Sequence, residues 1–107
     1  MSEKKHIGKA SEEQVKAWRN RYRRVVEVEV EEQDNIYHAY FHTPDMKTMK
    51  AAMQVSKTDE IEGATVLINN CWISGADIMK EDGLLFIQMA QQVSVLFGQT
   101  QGRLKNL

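Results

Sequence analysis

The chain has little of several things that define whole protein classes. One cysteine among 107 residues cannot close an internal disulfide, which removes the secreted disulfide-scaffold class. One proline and six glycines leave no stretch for a Pro/Gly-rich linker. No apolar run reaches the roughly 18 residues that a membrane span needs, so no membrane association is expected. The leading residues, MSEKKHIGKA, contain no apolar signal core, so export is not expected either. A formal charge of -1 excludes a strongly basic nucleic-acid coat. What remains is ordinary globular composition, 42% hydrophobic and 27% charged. The length suits one domain and leaves no room for a separate cofactor domain. The expected organisation is a mobile tail at 1–10 and a single α+β domain at 11–107.

The near-zero net charge hides an asymmetry. Residues 1–24 carry +5 and residues 25–34 carry -5. Such blocks are read first as internal pairing, helix against strand, and second as a basic surface for an acidic partner.

Periodicity divides the chain further. Ser11-Glu12-Glu13-Gln14 is a capping box. Val15, Trp18 and Tyr22 then fall on one helical face, predicting a short amphipathic helix over 11–22. The period changes to two at Val26, Val28 and Val30, which alternate with Glu27, Glu29 and Glu31. Gln33-Asp34-Asn35 is turn chemistry, and Ile36 to His42 alternates again, so the pair reads as an antiparallel hairpin. A hairpin alone is marginal in water and must be covered.

Three helices are expected after it. Thr43-Pro44-Asp45 starts the first, with Thr43 as N-cap, and Met46, Met49 and Met53 mark one of its faces. Thr58-Asp59-Glu60 starts the second, whose apolar face runs through Ile61, Ala64, Ile68, Cys71 and Trp72 to a stop at Ser74-Gly75. Residues 76–81 read as a connection, and Asp82 as the N-cap of the last and longest helix. No charged residue occurs from Gly83 to Gly102. Leu85, Phe86, Met89, Ala90, Val93, Leu96 and Phe97 form one apolar arc of this helix. Leu84, Ile87 and Val95 lie on the opposite side with Gln88 and Gln91. A surface helix of a small monomer carries charge on its wet face. Its absence points either to a helix through the middle of the domain or to a second face that meets another chain. Candidate partner-binding residues are therefore Leu84, Ile87, Gln88, Gln91 and Val95, together with Met46, Met49 and Met53, which serve either core packing or partner contact.

No catalytic constellation is present. His6 lies in the expected tail. His38 and His42 share a strand face about 13 Å apart, too far for one metal ion, and read as exposed or half-exposed. Glu27, Glu29 and Glu31 form a ladder about 6.6 Å apart, read as solvated or Arg-facing. Cys71, on an apolar helix face without a nearby base, reads as a buried structural residue. No phosphate loop, zinc-protease motif or nucleophile elbow occurs, so neither a metal nor a cofactor is expected. The segment Lys16 to Arg24 interleaves Lys16, Arg19, Arg21, Arg23 and Arg24 with Trp18 and Tyr22, the pattern of a nucleic-acid contact. The alignment of both rings with Val15 points them at the core instead.

The order of segments resembles a known group. A helix with KAWRNRYRRV leads into an alternating strand. A second strand ends in Tyr40-Phe41-His42-Thr43-Pro44-Asp45. A Met/Ala-rich helix follows, then one ending Asn69-Asn70-Cys71-Trp72-Ile73-Ser74-Gly75, then a long C-terminal helix. This pattern, over about residues 12–107, resembles small prophage-encoded proteins similar to phage tail assembly chaperones. The resemblance implies a non-enzymatic protein of the bacterial host cytoplasm. It would bind the long, helical, hydrophobic tape measure protein and help the tail tube protein polymerise around it. Two other readings stand beside it. One is a small nucleic-acid-binding protein using the 16–24 helix. The other is a structural phage protein that forms homo-oligomers through hairpin edges.

Overall fold

The structure, a computed structural model, describes residues 3–98 and 100–107, and at 96–98 the backbone only. The expected placement of Leu96 and Phe97 on the last helix's apolar arc, and the first two residues of the expected tail, lie outside the described residues.

The architecture is α+β, and the described residues form nine elements in the order β1 (Lys5–Ile7), α1 (Glu12–Arg21), β2 (Val25–Glu32), β3 (Asn35–His42), α2 (Met46–Ser56), α3 (Glu60–Cys71), β4 (Trp72–Gly75), α4 (Ile78–Glu81) and α5 (Gly83–Gly98). The hairpin is present as read: β2 and β3 pair antiparallel along their full length, from Val25 opposite His42 to Glu32 opposite Asn35. The two-residue loop, Gln33-Asp34, turns tightly enough to hold Gln33 at φ 53°, a left-handed position.

β3 is the central strand. Its second edge is filled by two short strands end to end. β1 runs parallel to Asn35–Tyr37, and β4 runs antiparallel to Ala39–Phe41. Two expectations change here. The segment read as a mobile tail contributes β1, and the segment read as the end of the second helix contributes β4. The helix stops at Cys71 because Trp72 turns extended (φ -62°, ψ 126°) and its backbone joins the sheet edge. The connection read at 76–81 contains the short helix α4.

The seam between β1 and β4 is close-packed backbone. Ala76 N–H donates to the His38 carbonyl at 2.9 Å. Gly8 sits at φ 82°, where a Cβ would stand 2.4 Å from Ala76 N and 2.9 Å from the His38 oxygen. Gly75, at φ 156°, would bring a Cβ within 2.6 Å of the same oxygen. Both positions need glycine for space and for dihedral angle.

Alternation gives the sheet two faces. Val26, Val28, Val30, Tyr37, Ala39 and Phe41 look toward the core, where they meet Leu67, Ile68 and Cys71 of α3, Met79 of α4 and Leu85, Met89, Ala90 and Val93 of α5. Phe41 and Trp72 contact edge to face, ring centroids 5.5 Å apart. α2 and α3 form a helical hairpin. Gly63 lets them approach, since a Cβ there would stand 2.5 Å from the Ser56 Cβ. The cap residues follow electrostatics more closely than the expected boundaries do. Ser11 and Gln14 form the capping box, and Asp82 accepts from the Leu84 and Leu85 N–H groups. Asp45, not Thr43, caps α2 by accepting from Thr48 N–H at 2.8 Å.

The other sheet face carries Glu27, Glu29, His38, Tyr40 and His42; α1 packs on its Tyr40 and His42 end, and Glu27 and Glu29 stay exposed. Trp18 packs on Tyr40 with centroids 5.2 Å apart, and Tyr22 stacks on His42 at 4.6 Å. The α1 rings thus meet the polar face of the sheet, not its apolar core. No helix among the described residues is long and apolar enough to cross a membrane.

Candidate functional site

Two surfaces carry the residues that sequence singles out. The first is the outer face of α5. At about 100° per residue, Leu85, Phe86, Met89, Ala90 and Val93 occupy one side. Leu85, Met89, Ala90 and Val93 are buried there, and Phe86 is half-buried. Leu84, Ile87, Gln88, Gln91 and Val95 fall within an arc of about 100° on the other side, and all five are exposed. Leu84 and Val95 leave 75% and 53% of their surface open. Val95 also borders a groove of about 370 Å³ lined by Val26, Phe41, Leu67, Cys71 and Val93. α5 therefore does not run through the middle of the domain. One side packs on the sheet and α3, and the other is an uncharged apolar strip.

The methionine face of α2 is mostly outward too. Met46 and Met53 are 72% and 60% exposed, Met49 alone packs against the core, and Ala52 is the buried residue of the helix. Core packing, one of the two roles read for these methionines, holds for Met49 only.

The second surface is the polar face of the sheet, and here the structure brings together residues that sequence reasoning kept apart. His38 is fully buried, not exposed or half-exposed as read. Its Nδ1 lies 2.9 Å from Glu27 Oε2 and 3.7 Å from Glu29 Oε1, and its Nε2 lies 2.8 Å from Nδ1 of His6. The Tyr40 hydroxyl donates to the same Glu27 oxygen at 2.6 Å and accepts from Ala10 N–H at 3.0 Å. The carboxylate can only accept, so His38 Nδ1 carries a hydrogen. In the neutral ring Nε2 then accepts from His6. Partial burial pushes the Glu27 carboxyl up, but the hydrogen bonds from Tyr40 and His38, with the charges of His38 and Lys9, outweigh it and hold it below the usual value. Burial, then the bond to Glu27, pushes the Tyr40 phenol up to about 12, so it stays a donor at neutral pH.

This chain of groups has a signal in the sequence. The two-residue turn fixes the register that sets Glu29 opposite His38 and Glu27 opposite Tyr40. No local pattern announces that β1 delivers His6, or that α1 packs on the Tyr40 and His42 end of the face.

The basic block divides its tasks. Lys16 and Arg19 of α1, with Lys9, surround an open cavity of about 810 Å³ floored by Glu27 and Tyr40. Arg21 lies over the Tyr22 ring, its guanidinium carbon 5.4 Å from the centroid. Arg23 and Arg24 are exposed beyond the helix. Lys4, ahead of α1, bonds Glu31 and so ties the basic block to the strand. Trp18 and Tyr22 are occupied by Tyr40 and His42, which leaves no ring free to stack on a base. Cys71 is buried as read, and burial, then the Asp45 charge, pushes its thiol up to about 11.

The sheet leaves one long edge open, that of β2. Two copies joined antiparallel along it would set one glutamate row against another, which opposes the homo-oligomer through hairpin edges. Comparison with protein families, with characterised proteins and with solved structures returns no match for this chain.

Proposed function

We propose that the chain is a non-enzymatic assembly chaperone or adaptor of the phage-tail kind, which holds an apolar helix of a partner against the outer face of α5. One observation carries this reading: Leu84, Ile87, Gln91 and Val95 recur at i, i+3, i+7 and i+11 on an exposed, uncharged face. That is the spacing of a helix-pairing seam. A partner helix laid along it buries the remaining exposed part of three aliphatic side chains, 75% of Leu84, 38% of Ile87 and 53% of Val95, worth about 1–2 kcal/mol each. The groove beside Val95 offers a pocket for one anchoring side chain. The amides of Gln88 and Gln91 add hydrogen bonds without a charge to desolvate. A long hydrophobic helix such as that of a tape measure protein suits this face, and a tail tube protein is the other partner the reading names.

The test uses the whole tagged chain in its prophage-induced host. The lysate is treated with nuclease and recovered proteins are read by mass spectrometry. A long helical protein is expected with the wild type and not with Ile87→Lys/Val95→Lys. Equal recovery with both overturns the reading. Partners lost on nuclease treatment would instead favour Lys16, Arg19, Arg21, Arg23 and Arg24 as a nucleic-acid surface, whose affinity falls steeply with salt.

A further inference from the structure

The polar face of the sheet holds a donor set that the adaptor reading leaves unused. We propose that Glu27, Glu29 and His38 bind one divalent ion of the zinc class. The three offer one imidazole nitrogen and two carboxylate oxygens, all within 4.8 Å of one another. Donors around a zinc ion at about 2.1 Å stand about 3.0–3.4 Å apart. Nδ1 of His38 already lies 2.9 Å from Glu27 Oε2 and 3.7 Å from Glu29 Oε1, so closing the shell asks the two exposed carboxylates to draw together by no more than about 1–2 Å. The two carboxylates match the ion's charge.

The set is built rather than incidental. His38 is fully buried, and its far nitrogen is fixed on His6 at 2.8 Å. A metal-bound imidazole is ordinarily held through its other ring nitrogen in this way. Tyr40, itself buried, aims the Glu27 carboxylate, and Ala10 N–H holds the Tyr40 hydroxyl. The hairpin register sets Glu29 opposite His38 and Glu27 one pair further along, so both carboxylates converge on one ring nitrogen.

Protons balance without loss. On binding, the hydrogen leaves Nδ1 of His38 and the ring takes the other tautomer. The Nδ1 hydrogen of His38 passes to water, Nε2 takes the hydrogen that His6 had donated from Nδ1, and His6 takes one from water on its outer nitrogen, so the count of protons is unchanged. The imidazole disfavours magnesium and calcium, and the lack of a thiolate disfavours copper(I). Glu27 and Glu29 have side chains 38% and 55% exposed, so water completes the shell.

The test is zinc titration by calorimetry on the untagged chain, with cobalt(II) absorption as a second probe. One zinc per chain is expected, with a shift of the His38 ring nitrogens, not those of His42, in the NMR spectrum. Glu29→Gln should weaken binding about tenfold or more. Its circular dichroism should match the wild type, because Glu29 is exposed. Glu31→Gln, on the same strand face but paired with Lys4, should bind as the wild type does. No binding at millimolar zinc, unchanged His38 signals, or equal affinity for wild type and Glu29→Gln would each overturn the proposal.

Discussion

Alanine at Gly8 tests how the N-terminal strand is held. Gly8 closes β1 at φ 82°, and a Cβ there would stand 2.4 Å from Ala76 N, 2.9 Å from the His38 oxygen and 3.0 Å from Ala76 Cα. All three are backbone atoms, so no side chain can swing away. The left-handed angle costs an L-residue about 1–2 kcal/mol. Forcing the seam apart adds about 1–3 kcal/mol, the usual range for overpacking. Gly8→Ala should therefore destabilise by about 2–5 kcal/mol, a large part of the stability of a domain this size. Gly83→Ala is the matched control. It begins α5 with nothing within 4 Å of its would-be Cβ, and should stabilise by about 0.5–1 kcal/mol. Urea unfolding followed by tryptophan fluorescence reads both, with an unchanged m-value as the sign of a clean comparison. Trp18 reports on α1, and Trp72 on β4. Gly8→Ala as stable as the wild type would refute the seating of β1 beside Ala76, and with it the delivery of His6 to His38.

Other outcomes follow from burial and charge. Ile87→Lys/Val95→Lys should change stability by about 0.5 kcal/mol or less, whereas Met89→Ala, on the same helix but fully buried, should cost about 2–5 kcal/mol; both are read by urea unfolding. Cys71, with its thiol pushed up to about 11, should resist a thiol reagent at neutral pH in the folded chain and react at once in denaturant. The Glu27 carboxyl is held below its ordinary value of 4.5, so its stabilising contribution is full above that value and is lost as pH falls through the lowered one. In chelator, Glu27→Gln should therefore flatten the acid side of the stability profile, and a profile as steep as the wild type's would contradict the Tyr40 and His38 hydrogen bonds.

The parts of this fold that a reader of the sequence can see are those encoded over a few neighbouring residues. The alternation from Val26 to Val30 and the turn chemistry at Gln33-Asp34-Asn35 give the hairpin; its register, with Asn35 already in β3, comes from the structure. The capping box at Ser11 and the oxygen of Asp82 mark helix starts. The two arcs of α5 are visible because a helix repeats over its own length. The missed parts depend on distant edges. Lys5–Ile7 is three residues without periodicity, and it becomes a strand only because Asn35–Tyr37 offers an unpaired edge. Trp72–Gly75 continues an apolar helical pattern until β3 takes its backbone. The strand alternation places His38 on the polar face, and polar faces are read as wet. His6 of β1 and the Glu27 and Glu29 carboxylates close around its two ring nitrogens. Glu27 and Glu29 themselves stay exposed, so their local pattern reads as a solvated ladder until the buried His38 is seen between them.

The end-to-end filling of one edge of β3 also sets a timetable. The hairpin β2–β3 is local and can form as soon as residue 42 is free of the ribosome. The floor on which Gly8 rests includes Ala76, which is made 68 residues after it. The first strand synthesised is therefore the last to find its complete seat, and must wait unpaired at one end while the helices between are built. Contacts that span this much chain slow folding. The rate at which β1 locks should accordingly follow the arrival of β4.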